Sequence, residues 1–222
     1  MGIGKNIVGS GCFSRDSFIL ERCQSKRVLH VGCTDYPFFE DALRHGYLLH
    51  DKVTKVAQHV VGIDIAQNDI DAMKSHGYDV RLIDAENMFG YLELEEFDVI
   101  LLADVIEHIA NPGKVIHESI KALNGKGSII ITVPNALGII RFLKSFFKYE
   151  QVHPDHLAYY SSGTLEAFAL NFKLKIEELA WYQFEVRDKR PIVYLSAAIE
   201  RVITTFFPWQ AEGCIAVLSA EK

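Results

Sequence analysis

Several features that would assign this 222-residue chain to a class at once are scarce or missing. Its four cysteines, Cys12, Cys23, Cys33 and Cys214, are scattered with no C-x-x-C pair. That spacing suggests neither a zinc ribbon nor a disulfide framework and fits reduced, intracellular thiols. No stretch of about 18 uninterrupted apolar residues occurs. The beginning of the chain carries Lys5 but no apolar core leading to a small-residue cleavage site, so a cytoplasmic location is expected. Positive charge is not in excess either: 23 Lys and Arg against 29 Asp and Glu give a net charge of −6, wrong for an electrostatically driven nucleic-acid binder. Repeats and low-complexity tracts are absent. Glycine is short where it matters most, because the segment Val28 to Tyr36 has one glycine where a G-x-G-x-x-G fingerprint needs three.

What is present is a succession of apolar segments that end in small or acidic residues. Val28-Leu29-His30-Val31 runs into Gly32-Cys33-Thr34, Val60 to Ile63 into Asp64, Val80 to Ile83 into Asp84-Ala85-Glu86, and Phe97 to Ala103 into Asp104. The last of them, Phe97 to Ala103, is a continuous apolar run of the kind that parallel strands buried on both faces require. Between them lie helical spacings: Phe38 to Gln58 in two pieces broken near Gly46, Asp69 to His76 ending near Gly77, and Gly113 to Leu123 behind Asn111-Pro112. Asn124 to Gly127 reads as a turn into a fifth strand, Ser128 to Val133. Further along, Ser161, Ser162 or Thr164 is placed to cap a helix from Leu165 to Leu170. Leu174 to Trp181 reads as a sixth strand and Cys214 to Ser219 as a seventh.

The expected fold is therefore α/β, a doubly wound, mostly parallel seven-stranded sheet with helices on both faces, in one domain over 1–222. Helical insertions are expected near 135–160 and 190–208. The first, Asn135 to Tyr149, mixes Phe142, Leu143, Phe146 and Phe147 with Arg141, Lys144 and Lys148, and reads as a core-packed helix, a lid or a membrane-facing helix. The second, Ile192 to Phe207, carries Glu200 and Arg201 in its middle, so it is amphipathic and not a membrane span. Peripheral membrane contact is the partner these segments allow, beside a small molecule.

In a doubly wound sheet the carboxyl ends of the strands form the ligand crevice. Asp64 then either accepts from ribose hydroxyls or faces water. Asp84 either accepts from an adenine amine or sits in a solvated turn. Asp104 either faces a cationic ligand group or caps the turn Val105 to His108.

The order of these elements resembles the class I S-adenosylmethionine-dependent methyltransferases, in particular the small-molecule branch with the quinone O-methyltransferases and enzymes of polysaccharide clusters. The resemblance rests on Val28 to Cys33, Val61-Gly62-Ile63-Asp64, Phe97-Asp98-Val99-Ile100 with Asp104 to Ile109, Leu123 to Gly127 before Val133-Pro134-Asn135, and the His156 to Leu165 entry to a late helix. It implies S-adenosylmethionine as cofactor and methyl transfer to a small acceptor such as a sugar, a lipid-linked sugar or a quinone. It also implies that Gly32, Cys33 and Thr34 approach the methionine part, Asp64 with Ile65 the ribose end, Asp84 and Ala85 the adenine, and Asp104 the amino-acid edge. The first motif departs from the family: His30 stands where an acid is usual, Thr34 for the second glycine and Tyr36 for the third. Asp35 is a candidate replacement for the missing acceptor.

Methyl transfer to a hydroxyl needs alignment and loss of a proton. His156 and His108 are the candidate catalytic groups, each with a purely structural alternative. His153 and His156 also stand at i, i+3, but no cysteine or acid cluster completes a metal set, so no metal is expected. Two other functions fit the same fold: a non-catalytic binding or scaffold module with a degenerate glycine motif, and a nicotinamide-dependent oxidoreductase, against which the single glycine weighs.

Overall fold

The computed structural model describes residues 9–92, 96–150, 152–184 and 190–220. Lys5 and the start of the chain lie outside the described residues, as does the side chain of Ile192. In chain order the elements are β1 (Cys12–Ser14), α1 (Arg15–Cys23), β2 (Arg27–Val31), α2 (Phe39–Arg44), α3 (Leu49–Val56), β3 (His59–Asp64), α4 (Gln67–Ser75) and β4 (Val80–Leu82). A 3₁₀ segment, Ala85–Tyr91, leads to β5 (Phe97–Ala103), α5 (Pro112–Ala122), β6 (Leu123–Pro134), α6 (Ile139–Ser145), α7 (Ser162–Asn171), β7 (Leu174–Gln183), α8 (Pro191–Phe206) and β8 (Gly213–Ala220).

The strands form one sheet in the order β1-β7-β8-β6-β5-β2-β3-β4. All neighbours are parallel except β8, which runs antiparallel to both β6 and β7. The sheet has eight strands and not seven, because Cys12 to Ser14 adds to the edge. Ser10 donates to the Leu179 carbonyl at 2.8 Å and Trp181 to the Gly11 carbonyl at 2.9 Å, satisfying edge groups that β7 would otherwise leave open. Alternation along the strands splits the core in two. Leu29, Val31, Val61, Ile63, Ile100 and Leu102 pack on one face with Val115 and Ile116 of α5 and Leu165 of α7. Val28, Val60, Val99 and Leu101 pack on the other with Phe18 and Ile19 of α1 and Val53 of α3.

Local signals are mostly realised as read. The stop after α4 coincides with Gly77 at φ +87°. Asn111 accepts from the Lys114 N–H at 3.3 Å, and Ser161 with Thr164 forms a reciprocal capping box on α7. Two segments differ. Asn124 to Gly127 belongs to β6: Leu123 already pairs with Phe97, Asn124 Nδ2 donates to Asp98, and a register shift between Phe97 and Val99 absorbs the glycines. The helix α6 has no buried residue, so the core-packed alternative does not hold for it; Phe146 is 70% and Phe147, just beyond it, 85% exposed. Among the described residues no helix is long and apolar enough to cross a membrane.

From β2 the chain moves outward to β3 and β4, then returns to β5 on β2's other side. The order of winding thus reverses between β2 and β5, and a crevice opens outside their carboxyl ends.

Candidate functional site

Gly32 ends β2 in the left-handed region at φ +69°, and a Cβ there would lie 2.6 Å from Val105 Cγ2. Only glycine meets both conditions without a shift of the turn after β5. A glycine turn at this place is expected to offer its N–H groups to a ligand, and here it does not. The N–H groups of Gly32 and Cys33 donate to the Ile63 carbonyl at 2.9 and 3.3 Å, and that of Thr34 to Asp64 Oδ2 at 3.2 Å. The β2–β3 pairing continues into the turn and consumes them.

Thr34 does not narrow the crevice as a side chain at a glycine position would suggest. It is fully buried, turned inward, and its hydroxyl donates to Asp64 Oδ2 at 3.0 Å. Asp64 Oδ1 accepts from the N–H groups of Ile65 at 2.7 Å and Ala66 at 3.0 Å. The carboxylate is held in one orientation at the end of β3. The Cys33 side chain packs with Phe39 and Leu48 in a third, smaller core, and burial pushes its thiol above the ordinary range.

A cleft of about 700 Å³ lies over this edge, a size suited to a nucleoside-sized ligand. Of the residues read from the sequence, Gly32, Cys33, Asp64, Ile65, Asp84, Ala85, Asp104, His108 and His156 line it, as does Asp35; Thr34 does not. Ile65, Ile83 and Ile109 make an apolar stretch of the wall. Asp84 lines the cleft and also accepts from the Glu86 N–H at 2.9 Å, capping the 3₁₀ segment.

Asp104 sits at φ +54° and does not cap its own turn. Its carboxylate accepts from Thr132 Oγ1 at 3.0 Å and Tyr182 Oη at 2.7 Å, and it is paired with the guanidinium of Arg15. Burial and Asp104 itself push the Tyr182 phenol well above its usual range, so it remains a donor. Arg15 lines the cleft too. Sequence reading missed Arg15 because its partner is distant in the chain; the available signal was a cation opening the amphipathic helix before β2. The neighbouring Glu107 is buried, and its carboxyl oxygens have no hydrogen-bond partner among the described groups. Burial and then Asp104 raise it to about 9, which keeps it protonated.

His30, where the resemblance leads one to expect an acid, is buried beside His50 and lines the cleft. On the opposite wall the N–H groups of Leu157 and Ala158 donate to the Glu107 carbonyl at 2.7 and 3.3 Å. This straps the segment before α7 onto the turn after β5. His108 and His156 meet edge to face with ring centroids 4.5 Å apart, and His153 joins them at 5.5 and 5.4 Å. The third imidazole comes from a different element, which spacing along the segment of His153 and His156 cannot reveal. Burial, then the neighbouring imidazoles, push His156 down to about 4, and His108 is lowered in the same way.

Comparison with known proteins agrees with this geometry. A family model described as a methyltransferase domain matches residues 14–179. The chain is 26% identical over 180 residues to a ubiquinone biosynthesis O-methyltransferase of Hydrogenovibrio crunogenus, covering 75% of this chain and 69% of that protein. It is 30% identical over 129 residues to the same-named protein of Bartonella tribocorum, covering 55% and 47%. The chain thus spans about half the length of several of the curated relatives it matches. Among solved structures, the N-methyltransferase NodS of Bradyrhizobium japonicum, in complex with S-adenosyl-L-homocysteine, superposes with a TM-score of 0.57 at 13% identity, over 94% of this chain and 86% of that one.

Proposed function

Because the chain belongs to the methyltransferase-domain family, we propose that its cleft takes S-adenosylmethionine and that the protein methylates a hydroxyl of a small, quinone-like acceptor. The match over 14–179 favours this over the scaffold and nicotinamide alternatives. When bound, the cofactor supplies a methyl group on a positively charged sulfur, already activated for displacement. The residues present fit it. Asp64, oriented by Thr34 and two backbone N–H groups, is placed for a ribose diol. Ile65, Ile83 and Ile109 offer an apolar wall for a flat base, with Asp84 and Ala85 beside it. Arg15 supplies the cation for a carboxylate, and Asp104 the anion for an ammonium group.

The chain's remaining work is to position and to exclude water. His108 and His156, uncharged, accept a hydrogen bond from the acceptor hydroxyl and aim its oxygen into the cleft. The relatives' name supports a quinone-like acceptor. The exposed aromatic and aliphatic side chains Phe142, Phe146 and Phe147, and Leu195 and Ile199 of α8, beside Arg141, Lys144 and Lys148, support uptake of that acceptor from an anionic membrane surface. A cytoplasmic location goes with this reading, supported by four free thiols.

The observation that carries the proposal is the convergence of Gly32, Asp64, Asp84 and Asp104 on one cleft at the winding reversal of the sheet. Isothermal titration with S-adenosylmethionine and S-adenosylhomocysteine tests it. Micromolar binding, weakened at least tenfold in Asp64→Ala, is expected; no binding of either compound would sink the proposal.

A further inference from the structure

The three imidazoles at the cleft rim come from two segments, His108 from the turn after β5 and His153 with His156 from the strap before α7. One ring nitrogen from each lies within 4.8 Å of the others. Nδ1 of His156 is buried and has no hydrogen-bond partner among the described residues. Two nitrogens on one tetrahedral ion at ordinary zinc–nitrogen distances are about 3.3 Å apart. His108 and His153 are exposed, so closing to that spacing falls to their side-chain torsions.

We propose that His108, His153 and His156 form a site for a borderline divalent transition-metal ion such as Zn²⁺, with its remaining coordination position open toward the cleft. Three nitrogen donors and one open position are the ligand pattern of a working metal centre, whereas a purely structural zinc site is closed by four protein ligands. Imidazole selects zinc, copper, nickel or iron over magnesium and calcium, which prefer oxygen. The carboxylate of Asp155 lies 3.8 Å from His153 Nδ1 and adds negative potential where a cation would sit.

A role for the ion rests on the methyl-transfer reading. With the ion bound, the imidazole lone pairs lie on the metal, so the acceptor hydroxyl would be held at the open position in place of its hydrogen bonds to His108 and His156. There it would release its proton to solvent and keep its electron pair on oxygen, ready to attack. The site itself can be tested without that reading.

The full chain, freed of metal with a chelator, is titrated with Zn²⁺ calorimetrically and with Co²⁺ by visible absorption. One equivalent at micromolar or tighter affinity is expected, with the intense visible bands of a low-coordinate Co²⁺ site. His153→Ala, at an exposed position that leaves folding intact, and His108→Ala should each weaken binding at least tenfold; His45→Ala and His76→Ala, elsewhere on the surface, should not. Lack of saturable binding, or equal affinity in His153→Ala, overturns the inference. S-adenosylmethionine titrated into the same metal-free protein separates the two failures. Cofactor binding without metal binding removes the metal site alone, and no cofactor binding removes the functional reading.

Discussion

The imidazoles of His30 and His50 stack inside the protein with their Nδ1 atoms 3.2 Å apart. One nitrogen must donate and the other accept, so the pair holds a single proton between those atoms. Two charged rings at this distance are excluded. Burial is the largest cause that keeps His50 down at about 4 and His30 well below its ordinary range, with Arg15 adding to the effect on His30. Asp51 and Asp79 act on His50 in the opposite sense and do not prevail.

A dependence of stability on pH follows. Below about 6.5 the unfolded chain takes up protons that the folded pair refuses, so the stabilisation is complete above that pH and is lost as pH falls toward 4. His50 alone accounts for up to about 3 kcal/mol of that loss. Urea unfolding at pH 7.5 and 5.0 should show the drop, and His50→Gln should make it shallower, the remainder coming from His30 and His156. An equally steep profile in the variant would locate the effect elsewhere.

Gly32→Ala should destabilise by about 2–4 kcal/mol, through the left-handed backbone and the overlap with Val105. Thermal unfolding of Val105→Ala/Gly32→Ala should recover the part due to overlap and not the part due to φ. Full recovery would mean that the backbone at Gly32 is unstrained by a side chain.

Arg15 and Tyr182 meet on one carboxylate, that of Asp104, so their substitutions should not add. Tyr182→Phe is expected to cost about 1 kcal/mol and Arg15→Ala about 3 kcal/mol, since it leaves Asp104 without its counter-charge. A double-mutant cycle should show coupling beyond 0.5 kcal/mol. Arg15→Ala should also raise the dissociation constant for S-adenosylmethionine at least tenfold, measured by titration.

Phe146→Glu with Phe147→Glu should abolish sedimentation with vesicles rich in anionic lipid while cofactor affinity stays unchanged. Equal sedimentation of the variant and the parent chain would remove the membrane surface from the proposal. Failure of the parent chain to sediment would do the same.

The strand-end residues Gly32, Asp64 and Asp104 were legible in the sequence because the apolar run before each fixes where its strand stops. A doubly wound sheet then brings all those stops to one edge. What the side chains do there was harder to read. The inward turn of Thr34 and the loss of the Gly32 and Cys33 N–H groups to Ile63 depend on a pairing that continues one step past the strand. Arg15, His108 and His153 acquire their roles from partners in other elements, and no periodicity encodes that. The edge strand β1 was missed because three residues beside a glycine carry no alternation of their own.

The placement of β8 between β6 and β7 imposes an order on the birth of the molecule. On a ribosome, β3 to β6 can assemble onto β2 as soon as they emerge, each beside a strand already made. The strand β7 has no such option: its partners are β8 and the short β1, so it stays unpaired on one side until residues 213–220 have been synthesised. The half of the sheet that carries Gly32, Asp64 and Asp104 is therefore the half that can be built first, and Tyr182, on β7, reaches Asp104 only at the last stage.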